Sequence, residues 1–186
     1  MGHRLSKIVT RTGDTGTTGL SDGSRIDKDA PRMEVIGTVD ELSSCIGFAQ
    51  SLLPEDHTLR EALSFVQHDL FDLGGALSHP DAVLLTIAHV GRLDALAEQL
   101  NDGLQPLKEF ILPGGSMAIS TLHMARTVAR RAERRLISLL ELEPQDGAQG
   151  MAYLNRLSDV LFIAARRVAQ DTGQTEHLWQ QGKSLS

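Results

Sequence analysis

The sequence predicts an all-α fold: a single five-helix, up-and-down bundle preceded by an ordered N-terminal loop. Three observations lead there. Aromatic residues make up only 4% of the chain, so the core has to be built from Leu, Ile, Val and Ala, a choice that favours helices over a sandwich or barrel. Five stretches repeat apolar residues at the three- and four-residue steps of one helix face. The breaks between them are short, and short connections favour antiparallel neighbours. With 186 residues, 41% of them hydrophobic, the chain is long enough for one full core. No internal repeat, low-complexity tract or linker divides it.

The first 32 residues stand apart, rich in Thr, Gly, Asp and Ser and without an apolar period; they read as a loop or extended arm. The first helix is expected over Met33–Leu53, with Val35, Val39, Leu42, Ile46, Ala49 and Leu53 inward. The second, Leu59–Ser78, has the clearest stripe, from Leu59 through Leu63, Val66, Leu70 and Leu73 to Leu77. Thr58 and Glu61 have the spacing of a capping box, and Pro80 follows the end. The third, Val90–Asn101, carries Leu93, Leu96 and Leu100, with Gly103 as its stop. The fourth starts after Pro113-Gly114-Gly115 with Ser116 as N-cap and runs to Leu142 on an Ala/Leu stripe. The fifth, Met151–Asp171, buries Leu154, Leu157, Leu161, Ala164 and Val168 and ends near Gly173; residues 172–186 form a tail.

Charge and cysteine content exclude several classes. A net charge of -6 argues against general affinity for nucleic acid or an anionic membrane. One cysteine, Cys45, allows neither an internal disulfide nor a thiolate metal cluster. No run approaches the roughly 18 apolar residues of a membrane span, and the opening MGHRLSKIVTR has no apolar signal core; a cytoplasmic protein is expected.

Three features could carry chemistry. The first is Thr10-Arg11-Thr12-Gly13-Asp14-Thr15-Gly16-Thr17-Thr18-Gly19. Glycines let successive N–H groups turn toward one anion and threonine hydroxyls add donors, so this is a plausible phosphate cradle; taken alone it reads equally as a polar arm. It is not a Walker A loop, lacking Gly-Lys-Ser/Thr. The second is Arg126, Arg130, Arg131, Arg134 and Arg135, five of the 18 basic residues within ten positions. Arg130 and Arg134 share a face with His123 and Thr127, and guanidinium forks at this spacing suit a triphosphate; a solvated face with local ion pairs, for instance to Glu133, is the competing reading. The third is a stripe of small and polar residues on the first helix, Gly37, Asp40, Ser44 and Gly47. Asp40 at a core edge calls for a cation, and an arginine of the fourth helix is the natural one. Asn155, Ser158, Asp159, Phe162 and Arg166 give the fifth helix a similar edge. Neither HExxH nor ExxH occurs, and His68, His79 and His89 lack ligand spacing, so no protein metal site is expected. Trp179 lies in a polar tail and says little alone.

The segments TRTGDTGTTGL (10–20), GTVDELSSCIGFA (37–49), FILPGGS (110–116), ARTVARRAER (125–134) and YLNRLSD (153–159) follow the order of one family. The chain closely resembles the propanediol-utilisation-type ATP:corrinoid adenosyltransferases. The resemblance implies one domain over 1–186, with 1–32 as nucleotide-binding segment, and a homotrimer of five-helix bundles with active sites between subunits. It implies ATP contacts from Thr10, Arg11, Thr12, Gly13, Thr18, Gly19 and Lys28, from Arg130, Arg131, Glu133 and Arg134, and from Asn155. It maps a structurally essential Asp–Arg pair onto Asp40 and Arg130, and a corrin-facing phenylalanine onto Phe110. Many relatives have lysine in TGDKG where this chain has Thr15.

The implied reaction is attack of cob(I)alamin on the 5′ carbon of ATP, expelling triphosphate. Cobalt is then the nucleophile, and the protein supplies orientation and charge stabilisation, for which Arg130, Arg134, Lys28 and a Mg²⁺ ion are suited. Phe110 would displace the lower axial ligand of cobalamin. A reductase and a B12-dependent acceptor enzyme are the implied partners. A non-catalytic ATP-binding sensor or adenosylcobalamin chaperone is the alternative, and a structural bundle or nucleic-acid binder a third, disfavoured by the acidic total.

Overall fold

Residues 9–185 are described by the computed structural model; residues 1–8, assigned above to the N-terminal segment, and Ser186 lie outside the described residues. The elements are β1 (Thr17–Gly19), β2 (Arg25–Asp27), α1 (Pro31–Ser51), α2 (Leu59–Leu77), α3 (Ile87–Asn101), α4 (Met117–Leu142), α5 (Ala148–Asp171) and a 3₁₀ turn at Lys183–Leu185. Among the described residues no helix is long and apolar enough to cross a membrane.

The helix ends follow local chemistry. Pro31 opens α1 two residues before the expected Met33, because its fixed φ suits a first helical turn. Ser116 caps α4 by accepting from the Ile119 N–H. The capping box expected at Thr58 and Glu61 does not form: Thr58 is itself helical, and the Leu59 N–H donates to His57 Nδ1 instead. A capping box does form at Thr86 with His89, which starts α3 at Ile87, three residues before the expected Val90. Helix α5 likewise begins before Met151, at Ala148.

The helices alternate in direction, but their packing order is α2–α1–α4–α5–α3. Neighbours in sequence are therefore not always neighbours in space. The central pair is α1 against α4, joined by no short connection, and it is pinned by ion pairs from Glu41 to Arg131 and from Glu34 to Arg135. The core fills with the predicted stripes: Val35, Leu42, Leu63, Leu73, Leu122, Leu136, Leu154 and Leu161 are each fully buried. Two polar clusters sit inside it. Arg32, 2% exposed, pairs with Glu143 at 2.8 Å and donates to the Leu77 carbonyl at 2.8 Å, tying the start of α1 to the end of α2. The Tyr153 hydroxyl donates to Asp69 at 2.9 Å, and Arg92 pairs with the same carboxylate, so α5, α2 and α3 meet on one buried anion. Burial, with the Asp69 charge beside it, pushes the Tyr153 hydroxyl far above the usual tyrosine pKa.

The N-terminal arm is more structured than its composition suggests. Strands β1 and β2 pair antiparallel, with Thr18 opposite Ile26. Gly23 takes the left-handed conformation at φ 90°, and Asp22 accepts from the Ser24 N–H and hydroxyl, which holds its carboxyl below the usual range. The hairpin docks where Ser21 donates both its N–H and its hydroxyl to the Ser78 carbonyl, at the end of α2.

Candidate functional site

The loop ahead of β1 turns twice, with Asp14 N–H to the Arg11 carbonyl and Gly16 N–H to the Gly13 carbonyl. Arg11 and Gly16 adopt left-handed φ values of 60° and 88°. Such conformations cost a non-glycine residue about 1–3 kcal/mol and gather at functional sites, and alternation of this kind makes an N–H-lined concavity for anions. Lys28 closes over it: its N–H donates to the Gly16 carbonyl at 2.9 Å, and a Cβ at Gly13 would lie 2.9 Å from its ammonium nitrogen. A side chain at Gly13 would displace the end of Lys28 and crowd the Thr17 carbonyl, 3.3 Å from such a Cβ. The Thr10 and Thr12 hydroxyls lie 3.0 Å apart on the exposed side.

Sequence reasoning missed Arg25. Its guanidinium donates to the Thr12 carbonyl at 2.7 Å, to the Thr17 carbonyl at 3.0 Å and to the Thr17 hydroxyl at 2.7 Å. The available signal was Asp22-Gly23 between short Thr- and Ile-bearing stretches, a hairpin mark that brings Arg25 back beside Thr17.

On α4 the five arginines divide into two faces. Arg131 and Arg135 turn to α1 and pair with Glu41 and Glu34. Arg126, Arg130 and Arg134 rise at successive four-residue steps, and among the described residues none pairs with a carboxylate; Arg134 donates to the Arg130 carbonyl at 2.9 Å. Burial, with the Arg130 charge below it, lowers the Arg126 pKa. The ion pairs from Glu133 that the competing reading offered are absent among the described residues: Glu133 accepts from Asn155 on α5 at 3.0 Å. The same face continues to His123, buried against Phe162 with ring centroids 6.0 Å apart.

Asp40 is exposed and forms no ion pair with Arg130 or any other described residue of its own chain. The carboxylates that reach α4 are its neighbours Glu41 and Glu34, because Asp40 faces away, onto an open groove of about 470 Å³ between α1 and α2 lined by Met33, Ile36, Gly37, Leu70 and Phe71.

Phe110 lies in the long connection from Asp102 to Ser116, with 78% of its surface exposed. That segment is fixed by the tail: Trp179 N–H donates to the Phe110 carbonyl at 2.7 Å, and Leu112 N–H to the His177 carbonyl at 2.8 Å. Trp179, uninformative in sequence, belongs to the support of Phe110. Beneath, Arg166 pairs with Glu176 at 3.1 Å and donates to the Gln105 carbonyl.

The fold brings Lys28 to the loop, and Glu133 and Asn155 to the arginine face. Within one chain, no hydrogen bond or ion pair among the described residues joins the 10–28 segment to the α4 arginines. Asp69, Asp72 and His89 are grouped closely enough for a metal ion, but Asp69 already takes Tyr153 and Arg92, and His89 Nδ1 is engaged by Thr86.

The family model for cobalamin adenosyltransferase matches residues 8–168. A cobalamin adenosyltransferase of Cupriavidus metallidurans is 52% identical to the chain, over 97% of each. A variant of the PduO-type ATP:corrinoid adenosyltransferase from Lactobacillus reuteri with a substituted phenylalanine, solved with cobalamin and ATP, superposes with a TM-score of 0.89 at 32% identity, covering 94% of this chain and 97% of that one. A variant of the same enzyme with a substituted arginine, solved with ATP, gives a TM-score of 0.87 at 33% identity, covering 93% and 100%.

Proposed function

The chain belongs to the cobalamin adenosyltransferase family, and we infer from that premise how its residues carry the reaction. It is an ATP:corrinoid adenosyltransferase: the cobalt of cob(I)alamin attacks C5′ of ATP, the C5′–O bond breaks, and the electron pair leaves with triphosphate. The observation that carries our assignment of roles is the α4 ladder of Arg126, Arg130 and Arg134, cationic and without carboxylate partners among the described residues. Unpaired guanidinium forks one turn apart match the charge that grows on a departing triphosphate. Loop 10–19 with Lys28 encloses the nucleotide, Arg131 is set by Glu41, and Asn155 holds Glu133 beside the arginines. A Mg²⁺ ion bound with ATP is held mainly by phosphate oxygens, and the hydroxyls of Thr10, Thr12 and Thr18 are the ligands this chain would add.

We place the active site between subunits of a homotrimer. The loop and the ladder are joined by no hydrogen bond or ion pair among the described residues of one chain, and Asp40 and the ladder arginines form no ion pair among them. An Asp40–arginine pair across the interface, with Arg130 as its implied partner, answers both. Phe110 takes the corrin face. The phenylalanine and the arginine substituted in the two Lactobacillus reuteri variants stand as far apart along their chain as Phe110 and Arg130 do here, which supports both roles. Work in the cytoplasm, with a reductase supplying electrons and a B12-dependent enzyme receiving the product, belongs to the same proposal, as does nucleotide binding by the 1–32 segment.

The test is spectrophotometric. ATP with chemically reduced cobalamin gives the adenosylcobalamin spectrum and triphosphate; binding of both without conversion would identify a sensor or chaperone instead. Arg130→Ala abolishes product, and Phe110→Ala slows turnover far more than it weakens ATP binding. Near-normal activity in Arg130→Ala would refute its assignment.

A further inference from the structure

The Arg25 side chain is exposed, yet it makes four hydrogen bonds, one to Thr12 in the loop that precedes β1 and three to Thr17, where β1 begins. They end on three oxygens: the carbonyls of Thr12 and Thr17 and the Thr17 hydroxyl. The chemistry of an anion cradle explains why such a clamp is needed. A loop that offers its N–H groups to a phosphate must turn its carbonyl oxygens the other way, since an oxygen facing the anion repels it. Thr12 lies within the first of the two turns and Thr17 follows the second, and the turns use the Asp14 and Gly16 N–H groups but not those of Gly13 and Thr15, so holding the Thr12 and Thr17 carbonyls fixes the course of the chain that carries these two donors.

We propose that Arg25 is a positioning residue for nucleotide binding: it presets loop 12–17 for the triphosphate without touching it. This rests on the reading of 10–19 as the ATP loop. Arg25 and Lys28 leave the same return strand and its extension, and they grip the loop on opposite terms. The Lys28 ammonium lies against Gly13, where it can meet a phosphate, while the Arg25 fork is spent on backbone oxygens. The planar fork reaches these acceptors from two nitrogens in a fixed geometry, whereas the three donors of a lysine share one nitrogen on a flexible stem.

The experiment is steady-state kinetics of the full-length enzyme and of Arg25→Ala, Arg25→Lys and Thr17→Val, with KM for ATP and for cob(I)alamin measured separately beside thermal unfolding. Arg25→Ala raises KM for ATP about tenfold, the scale of losing one charge-assisted anchor, while KM for cob(I)alamin, saturated turnover and Tm stay close to the parent. Arg25→Lys recovers little of the loss. Thr17→Val shows a smaller rise in the same constant, and adding it to Arg25→Ala makes nothing worse. An unchanged KM for ATP in Arg25→Ala, while Arg130→Ala is inactive, overturns this proposal alone. Equal rises in both KM values with a lowered Tm overturn it as well, by showing a general structural role. If Arg130→Ala is as active as the parent and no loop variant alters ATP kinetics, the parent reading falls and this proposal with it.

Discussion

At His123 the fold places an ionisable ring where water hardly reaches. The residue is 5% exposed and its Nδ1 is buried without a partner among the described residues. Burial lowers its pKa from the ordinary 6.5, and the Arg126 charge adds to the effect, against a smaller opposing pull from Glu176. The native ring is therefore held neutral. As pH falls through about 6.5 the unfolded chain takes up a proton that the folded ring refuses, so the unfolded state binds more protons and stability falls with pH in that window. His123→Phe removes this titration. Between about pH 7 and about pH 5 its Tm should fall by one to three degrees less than the parent's, roughly the effect of a fraction of a kcal/mol. An equal fall in both proteins would show that His123 does not titrate this way. His123 lines a small cavity together with Ile111 and Leu112 of the connection that carries Phe110, so its neutrality also spares that cavity a buried charge.

Between elements, one polar tie joins three helices at the Asp69 carboxylate, shared by Tyr153 on α5 and Arg92 on α3. It matters because α2 and α3, adjacent in sequence, are not among the main packing pairs; the buried anion holds them to the same bundle. Tyr153→Phe keeps the ring but deletes the donor, leaving one carboxylate oxygen unsatisfied at 5% exposure. Urea unfolding should show a loss of about 1–3 kcal/mol, whereas a loss below about 0.5 kcal/mol would mean that water or Arg92 takes over the bond. Helix α4 shows the opposite use of charge. Two of its arginines pair with carboxylates of α1, and three have no carboxylate partner among the described residues. A ladder of like charges on one helix is unfavourable in isolation, and the Glu34 and Glu41 pairs on the neighbouring face offset part of that repulsion.

For the whole molecule, the separation of loop, ladder and Asp40 within one chain makes assembly the next question. Sedimentation velocity should report three chains, with Asp40→Lys shifting the enzyme toward single chains and lowering activity in parallel. A parent enzyme that sediments as one chain at micromolar concentration would contradict the interface reading. Added salt should weaken the assembly if an Asp–Arg pair at a partly exposed interface holds it.

How much of this was legible follows from where the information lies. Helix existence, the inward stripes and the Ser116 cap are local and periodic, and the sequence states them directly. The loop and the arginine cluster were visible as residue types at a spacing, and the family resemblance gave them ATP and cobalamin. Ion-pair partners were not legible: Asp40 and Glu41 are adjacent in sequence, and only the rotation of α1 against α4 sends Glu41 to Arg131 and Asp40 to open surface. The division of the α4 arginines into three unpaired and two paired arises in the same way. The hold of Trp179 on Phe110 and of Arg25 on Thr12 and Thr17 joins residues distant in sequence or across a turn, and no periodicity records such pairings. The sequence by itself determined an all-α bundle with a Thr/Gly-rich loop and a cationic helix. Tertiary structure alone decided which of the charges are paired between helices and which are left without a carboxylate among the described residues, because a charge's partner depends on distance and burial between elements.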